Sequence, residues 1–154
     1  MRPLADIEAR IEALAAAPGV PPAAAAELLR LGEEVLEHWI VGRGQRPTDE
    51  TREGFRLLAL HRQGAGGEPS FNACRETCRE LVYHHNLVLA EPAHADAVRR
   101  VKLAAMVAMH LYLFVSGKMQ QAGLGEFCCS SKPLRAGGEE GTIAPLPAPA
   151  PAQI

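Results

Sequence analysis

The chain has 154 residues, enough for one domain with its own hydrophobic core. Hydrophobic residues make up 47% of it but aromatic ones only 5%, and the excess of alanine and leucine suits helices better than strands. With 16 basic residues against 18 acidic, the net charge of −2 argues against a nucleic-acid binder, which carries a basic excess or stripe.

Leu4, Ile7, Ile11 and Leu14 recur at helical spacing and predict a first amphipathic helix that stops before Pro18-Gly19. A second opens near Pro21-Pro22, where proline is tolerated in a first turn, runs through Leu28, Leu29, Val35, Leu36, Trp39 and Ile40, and ends at Gly42-Arg43-Gly44. A third is expected from Pro47-Thr48-Asp49-Glu50, with Thr48 or Asp49 as cap, to His61-Arg62-Gln63, using Phe55, Leu58 and Leu60 as its apolar side. Ser70 or Asn72 can cap a fourth, ending near Glu91-Pro92. The fifth begins around Ala93 to Ala95 and reaches about Gln121. Its middle, Leu103 to Val115, reads as apolar all round, the pattern of a central, enclosed helix.

The expected fold is therefore all-α: a single-domain bundle of four to five helices over residues 1–122. An irregular cysteine-containing segment, 123–135, and a disordered Pro/Ala-rich tail, 136–154, are expected to follow. The N-terminus is charged where a secretory signal would be apolar, and the longest apolar run falls short of the ~20 residues of a membrane span. The expected location is cytoplasmic, where cysteines serve as thiols or ligands rather than structural disulfides.

Chemistry and packing coincide in one stretch, Cys74 to Asn86. On a helical wheel Cys78, Leu81, His85 and Val88 fall within about 40° of Cys74, so two thiols and an imidazole share a face with core residues. Arg75, Glu76, Arg79 and Glu80 fall on the other side as a solvated strip. Cys74 and Cys78 lie about 6 Å apart along the axis and His85 roughly 10 Å further, so one ion cannot take all three from a straight helix. A metal or cluster at Cys74 and Cys78 needs ligands from elsewhere, with Cys128 and Cys129 as candidates. His85 would serve with a histidine of another helix, His110, which interrupts the apolar fifth helix.

Thiolates favour zinc, copper(I) or iron–sulfur, and imidazoles favour zinc, copper, iron or haem iron. The plain alternative is packing, because cysteine is among the most buried residue types. The Cys-x3-Cys spacing is not the Cys-x2-Cys pair of zinc ribbons, and the Glu-x-x-His signature of di-iron bundles is absent at the central histidines. His38, His61 and His94 read as solvated surface residues. The Gly42–Gly44 and Gly64–Gly67 loops lack a nucleotide-binding fingerprint and read as interhelical turns.

Two functions compete. One is a metal- or redox-cofactor-binding bundle acting as a sensor, carrier or redox-associated accessory subunit, without a defined reaction. The other is an interaction or assembly factor, with a protein partner or a second copy of itself, in which the cysteines merely pack.

Overall fold

A computed structural model describes residues 1–125, and within them every regular element is helical. Helix α1 spans Leu4–Ala16, α2 Pro21–Gly42, α3 Arg56–Ala65, α4 Arg75–Ala90 and α5 Ala97–Ala122. A 3₁₀ turn, Pro69–Cys74, leads directly into α4. The expected Cys-containing segment and Pro/Ala tail, with Cys128 and Cys129, lie outside the described residues from 126 onward. No helix among the described residues is long and apolar enough to cross a membrane.

The inward stripes follow the periodicity. Leu4, Ile7, Ile11 and Leu14 are all buried on α1, and Leu28, Leu31, Val35, Leu36, Trp39 and Ile40 on α2. Helix α5 packs against α1, α2 and α4 and so forms the centre of the bundle. Its small residues Ala104, Ala105 and Ala108 are buried there, beside Tyr112. Tyr112 also donates a 3.1 Å hydrogen bond to Glu8 of α1. Gly32 permits the closest crossing: a Cβ there would stand 2.8 Å from Leu81 of α4 and 3.3 Å from Leu57 of α3. At Gly123 the backbone turns left-handed (φ 68°) and ends α5.

Two expectations about the elements are corrected. Residues 47–55 do not begin a helix. Thr48 accepts a hydrogen bond from the Glu50 amide at 3.1 Å, its own amide bonds the Gln63 side chain, and Glu53-Gly54 turn through positive φ before Phe55 caps α3. Local side-chain bonding thus outcompetes helix initiation. Nor is α5 enclosed on every side. Met106 is 66% exposed, Leu113 57% exposed, and His110 faces outward with them. One stripe of the helix satisfies the core, and the other apolar residues remain at the surface.

The start of α3 is anchored by charge. The Arg56 guanidinium pairs with Glu37 and, at 3.6 Å, with Glu33, and donates to the Thr48 carbonyl. Burial pushes the Glu33 carboxyl above its ordinary range, against the pull of Arg56. Arg56→Ala would leave two largely buried carboxylates on adjacent turns of α2 without their cation. The expected cost is about 2 kcal/mol at pH 7, below the roughly 3–5 for a fully buried pair. Urea denaturation at pH 7 and pH 5 checks this. The deficit should shrink toward pH 5, because the raised pKa of Glu33 eases protonation of the stranded carboxylate; an equal deficit at both would contradict it.

Candidate functional site

The centre of interest is where the 3₁₀ turn meets α4. Phe71 has no exposed surface and is the pivot. Its ring stacks on Trp39 of α2 (4.8 Å between centroids) and on His61 of α3 (5.6 Å), and meets Phe114 of α5 edge-on at 5.9 Å. Its backbone carbonyl accepts two hydrogen bonds, from His61 Nε2 at 3.1 Å and from the Cys74 thiol at 3.3 Å. Gly64 makes the stack possible. A Cβ there would sit 2.9 Å from Trp39 and 3.0 Å from Phe71, and its carbonyl accepts the Trp39 indole N–H at 2.9 Å. Lys118 of α5 holds the start of the turn through Glu68 and Ser70.

Cys74 ends the 3₁₀ turn and is the N-cap residue of α4. One helical turn on, Cys78 is wholly buried, and both are free thiols. The neighbouring Cys78 thiol is the largest influence lowering Cys74, to about 6; burial opposes this, and the nearby His61 ring adds a smaller pull. Position at a helix N-terminus, where the dipole is positive, favours a thiolate in the same sense. Cys78 is driven well above the ordinary thiol value, because the Cys74 sulfur beside it and its dry surroundings both oppose its ionisation. The two thiols are thus shifted in opposite directions, Cys74 toward easier and Cys78 toward harder ionisation.

His61 was read as a surface residue and is instead 5% exposed, at the heart of this cluster. The signal was present: Leu57, Leu60, His61 and Gly64 are spaced i, i+3, i+4, i+7, one inward stripe of α3, and all four are buried. His110 was expected to be buried and is exposed on α5, because the inward stripe of that helix is carried by Ala104, Ala108 and Leu111. His85 is half-buried at the edge of α4, edge-on to Phe55 at 5.9 Å, with Nδ1 bonded to the Asn86 side chain. The other histidine of that pair, His84, buries its Nδ1 without a partner among the described residues, and burial lowers its pKa. Among the described residues no three His, Cys, Asp or Glu side chains converge to hold a metal ion.

An open pocket of about 630 Å³ lies beside the cluster, with His61 and Asn72 in its wall and Arg52, Arg62, Arg75 and Arg79 around it. Arg79 is held by both oxygens of Glu53 at 2.7 Å. No protein-family model, curated protein or solved structure matches the chain.

Proposed function

We propose that Cys74 and Cys78 form a redox-active dithiol and that the protein works as a thiol-based redox sensor or redox-associated accessory subunit. The observation that carries this reading is two free, buried thiols one helical turn apart, with Cys74 at the N-cap of α4, and their opposite pKa shifts support it. The thiolate is the nucleophile in thiol–disulfide exchange, and the neighbouring thiol resolves the mixed disulfide. Their Cα atoms are one helical turn apart, about 6 Å, inside the roughly 4.4–6.8 Å of disulfides, but helical Cβ atoms at this spacing stand about 5–6 Å apart against the roughly 3.5–4.5 Å required, so closure needs the 3₁₀-to-α junction at Cys74 to shift. Closing the bond from the thiolate–thiol pair removes two electrons and the one remaining proton. The oxidant can be a disulfide or a hydroperoxide.

Equilibration in glutathione buffers of graded poise, followed by alkylation and peptide mass mapping, tests this. The Cys74–Cys78 peptide should lose about 2 Da and become resistant to alkylation as the poise rises. Thiols that stay reduced in fully oxidised glutathione would sink the reading. If in addition Cys74→Ala plus Cys78→Ala leaves the protein's behaviour unchanged, the cysteines pack and the assembly-factor alternative takes over. Elemental analysis of the same preparation addresses a metal cofactor: stoichiometric metal lost in that double variant would make the pair a ligand set instead.

A further inference from the structure

We infer that the arginine-lined pocket beside His61 recognises an anionic redox partner of the dithiol, a small disulfide that carries carboxylate groups; this rests on the dithiol reading. Four guanidiniums, those of Arg52, Arg62, Arg75 and Arg79, face two carboxylates, Glu76 in the wall and Glu53 on Arg79, so two positive charges stand unbalanced. Among the described residues Arg52, Arg62 and Arg75 form no ion pair. The two helix ends at the rim, the C-terminus of α3 and the N-terminus of α4, have opposite sign and nearly cancel. Guanidinium groups match carboxylates in a two-pronged geometry that a bulk hydrated cation does not offer.

A second opening, of about 480 Å³, shares Arg52, Arg62 and Gly66 with the first and lengthens it toward Thr48. The extension adds Glu50, so the combined groove sets four guanidiniums against three carboxylates, with the positive excess concentrated in the first opening. Location ties the groove to the chemistry. His61 stacks on Phe71 inside and lines the pocket outside, and Asn72 and Arg75 flank Cys74 in sequence. Cys74 itself is 2% exposed and does not line the pocket; its sulfur bonds the same Phe71 carbonyl that His61 reaches from the pocket wall. The backbone over it is the 3₁₀-to-α junction, whose hydrogen bonds are poorer than those of a regular helix. Exchange with a ligand in the pocket therefore requires that wall to part.

The exchange then balances. The Cys74 thiolate attacks one ligand sulfur, the ligand S–S bond breaks, and one thiolate departs with the electron pair. Cys78 gives its proton to that departing thiolate and attacks Cys74. The mixed disulfide breaks, the second thiolate leaves and takes a proton from water, and the ligand ends as two thiols while the protein holds one disulfide.

The test compares two oxidants of the reduced protein, carboxylate-rich glutathione disulfide and uncharged hydroxyethyl disulfide, by rapid mixing and alkylation. Calorimetry of glutathione disulfide with a variant in which Cys74, Cys78, Cys128 and Cys129 are all replaced by serine measures binding apart from reaction. In Arg62→Gln plus Arg75→Gln, and in wild type at high salt, the ratio of the two oxidation rates (glutathione disulfide over hydroxyethyl disulfide) should fall at least tenfold. The calorimetric binding should disappear when the arginine changes are added. A rate ratio that ignores both arginines and salt overturns the inference and leaves the dithiol reading standing. Failure of both oxidants to close the bond removes the dithiol reading, and binding lost with the arginines would then still uphold the anion site. Absence of binding in every variant overturns the site itself.

Discussion

Phe71→Ala should destabilise the protein by about 3–5 kcal/mol, the usual cost of emptying a large aromatic site. Phe71 is fully buried and in contact with rings from α2, α3 and α5, so no single neighbour can collapse into the space. Each lost ring–ring contact adds about 0.5–1.5 kcal/mol to the burial itself. Against a typical total of roughly 5–15 kcal/mol, the variant approaches the unfolding threshold. Phe71→Leu keeps most of the apolar volume and loses the stacks, with an expected cost below that of the alanine variant. Guanidinium denaturation of both variants checks this. An alanine variant within about 1 kcal/mol of wild type would show that Phe71 is not the pivot of the site.

Cys78→Ala should move the Cys74 titration upward from about 6 toward the ordinary thiol value of 9.0, because it removes the largest stabiliser of the thiolate. His61→Ala should move it less, since the His61 pull is the weaker one. Thiolate absorbance near 240 nm against pH, with Cys74→Ser as the blank, reads both shifts. The same opposite shifts set the pH dependence of stability. Cys74 has a folded pKa below its unfolded one, so its contribution is complete above the unfolded thiol value and is lost as pH falls through about 6. Cys78 has the opposite sign: its contribution is complete below the unfolded value and is lost as pH rises beyond it. Together the pair should add most near the unfolded thiol value, about 8.5–9. Chemical denaturation of wild type minus the double alanine variant across pH 5–10 checks this, and a flat difference would contradict it.

Much of the bundle was legible because each buried stripe repeats at a helical period. Leu4 to Leu14 and Leu28 to Ile40 needed nothing beyond that rule. The loop before α3 was not legible, since Thr48 and Asp49 satisfy a capping pattern whose competing bond comes from Gln63, fifteen residues away. Cys74 and Cys78 were found from their shared face, and both are buried. Their partner was missed. His61 reaches them through Phe71, an aromatic whose carbonyl geometry depends on the Trp39–Gly64 contact between α2 and α3. His110 drew attention as an interruption in an apolar run, but an apolar run on a 26-residue helix outlasts the width of the core it serves.

The central position of α5 has a consequence for how the protein is made. A chain leaving the ribosome folds from its N-terminus, and α5 is the last of the five helices to emerge. Phe114 and Lys118, which close over Phe71 and the turn before α4, come some forty residues after the thiols they help to enclose. During that interval α1, α2 and α4 have no α5 to cover their apolar faces, and Cys74 and Cys78 stand open to the surrounding thiol pool. Until α5 closes over them, the two thiols lack the cover that Phe114 and Lys118 help to supply, and the nascent chain is more open to oxidation than the folded one.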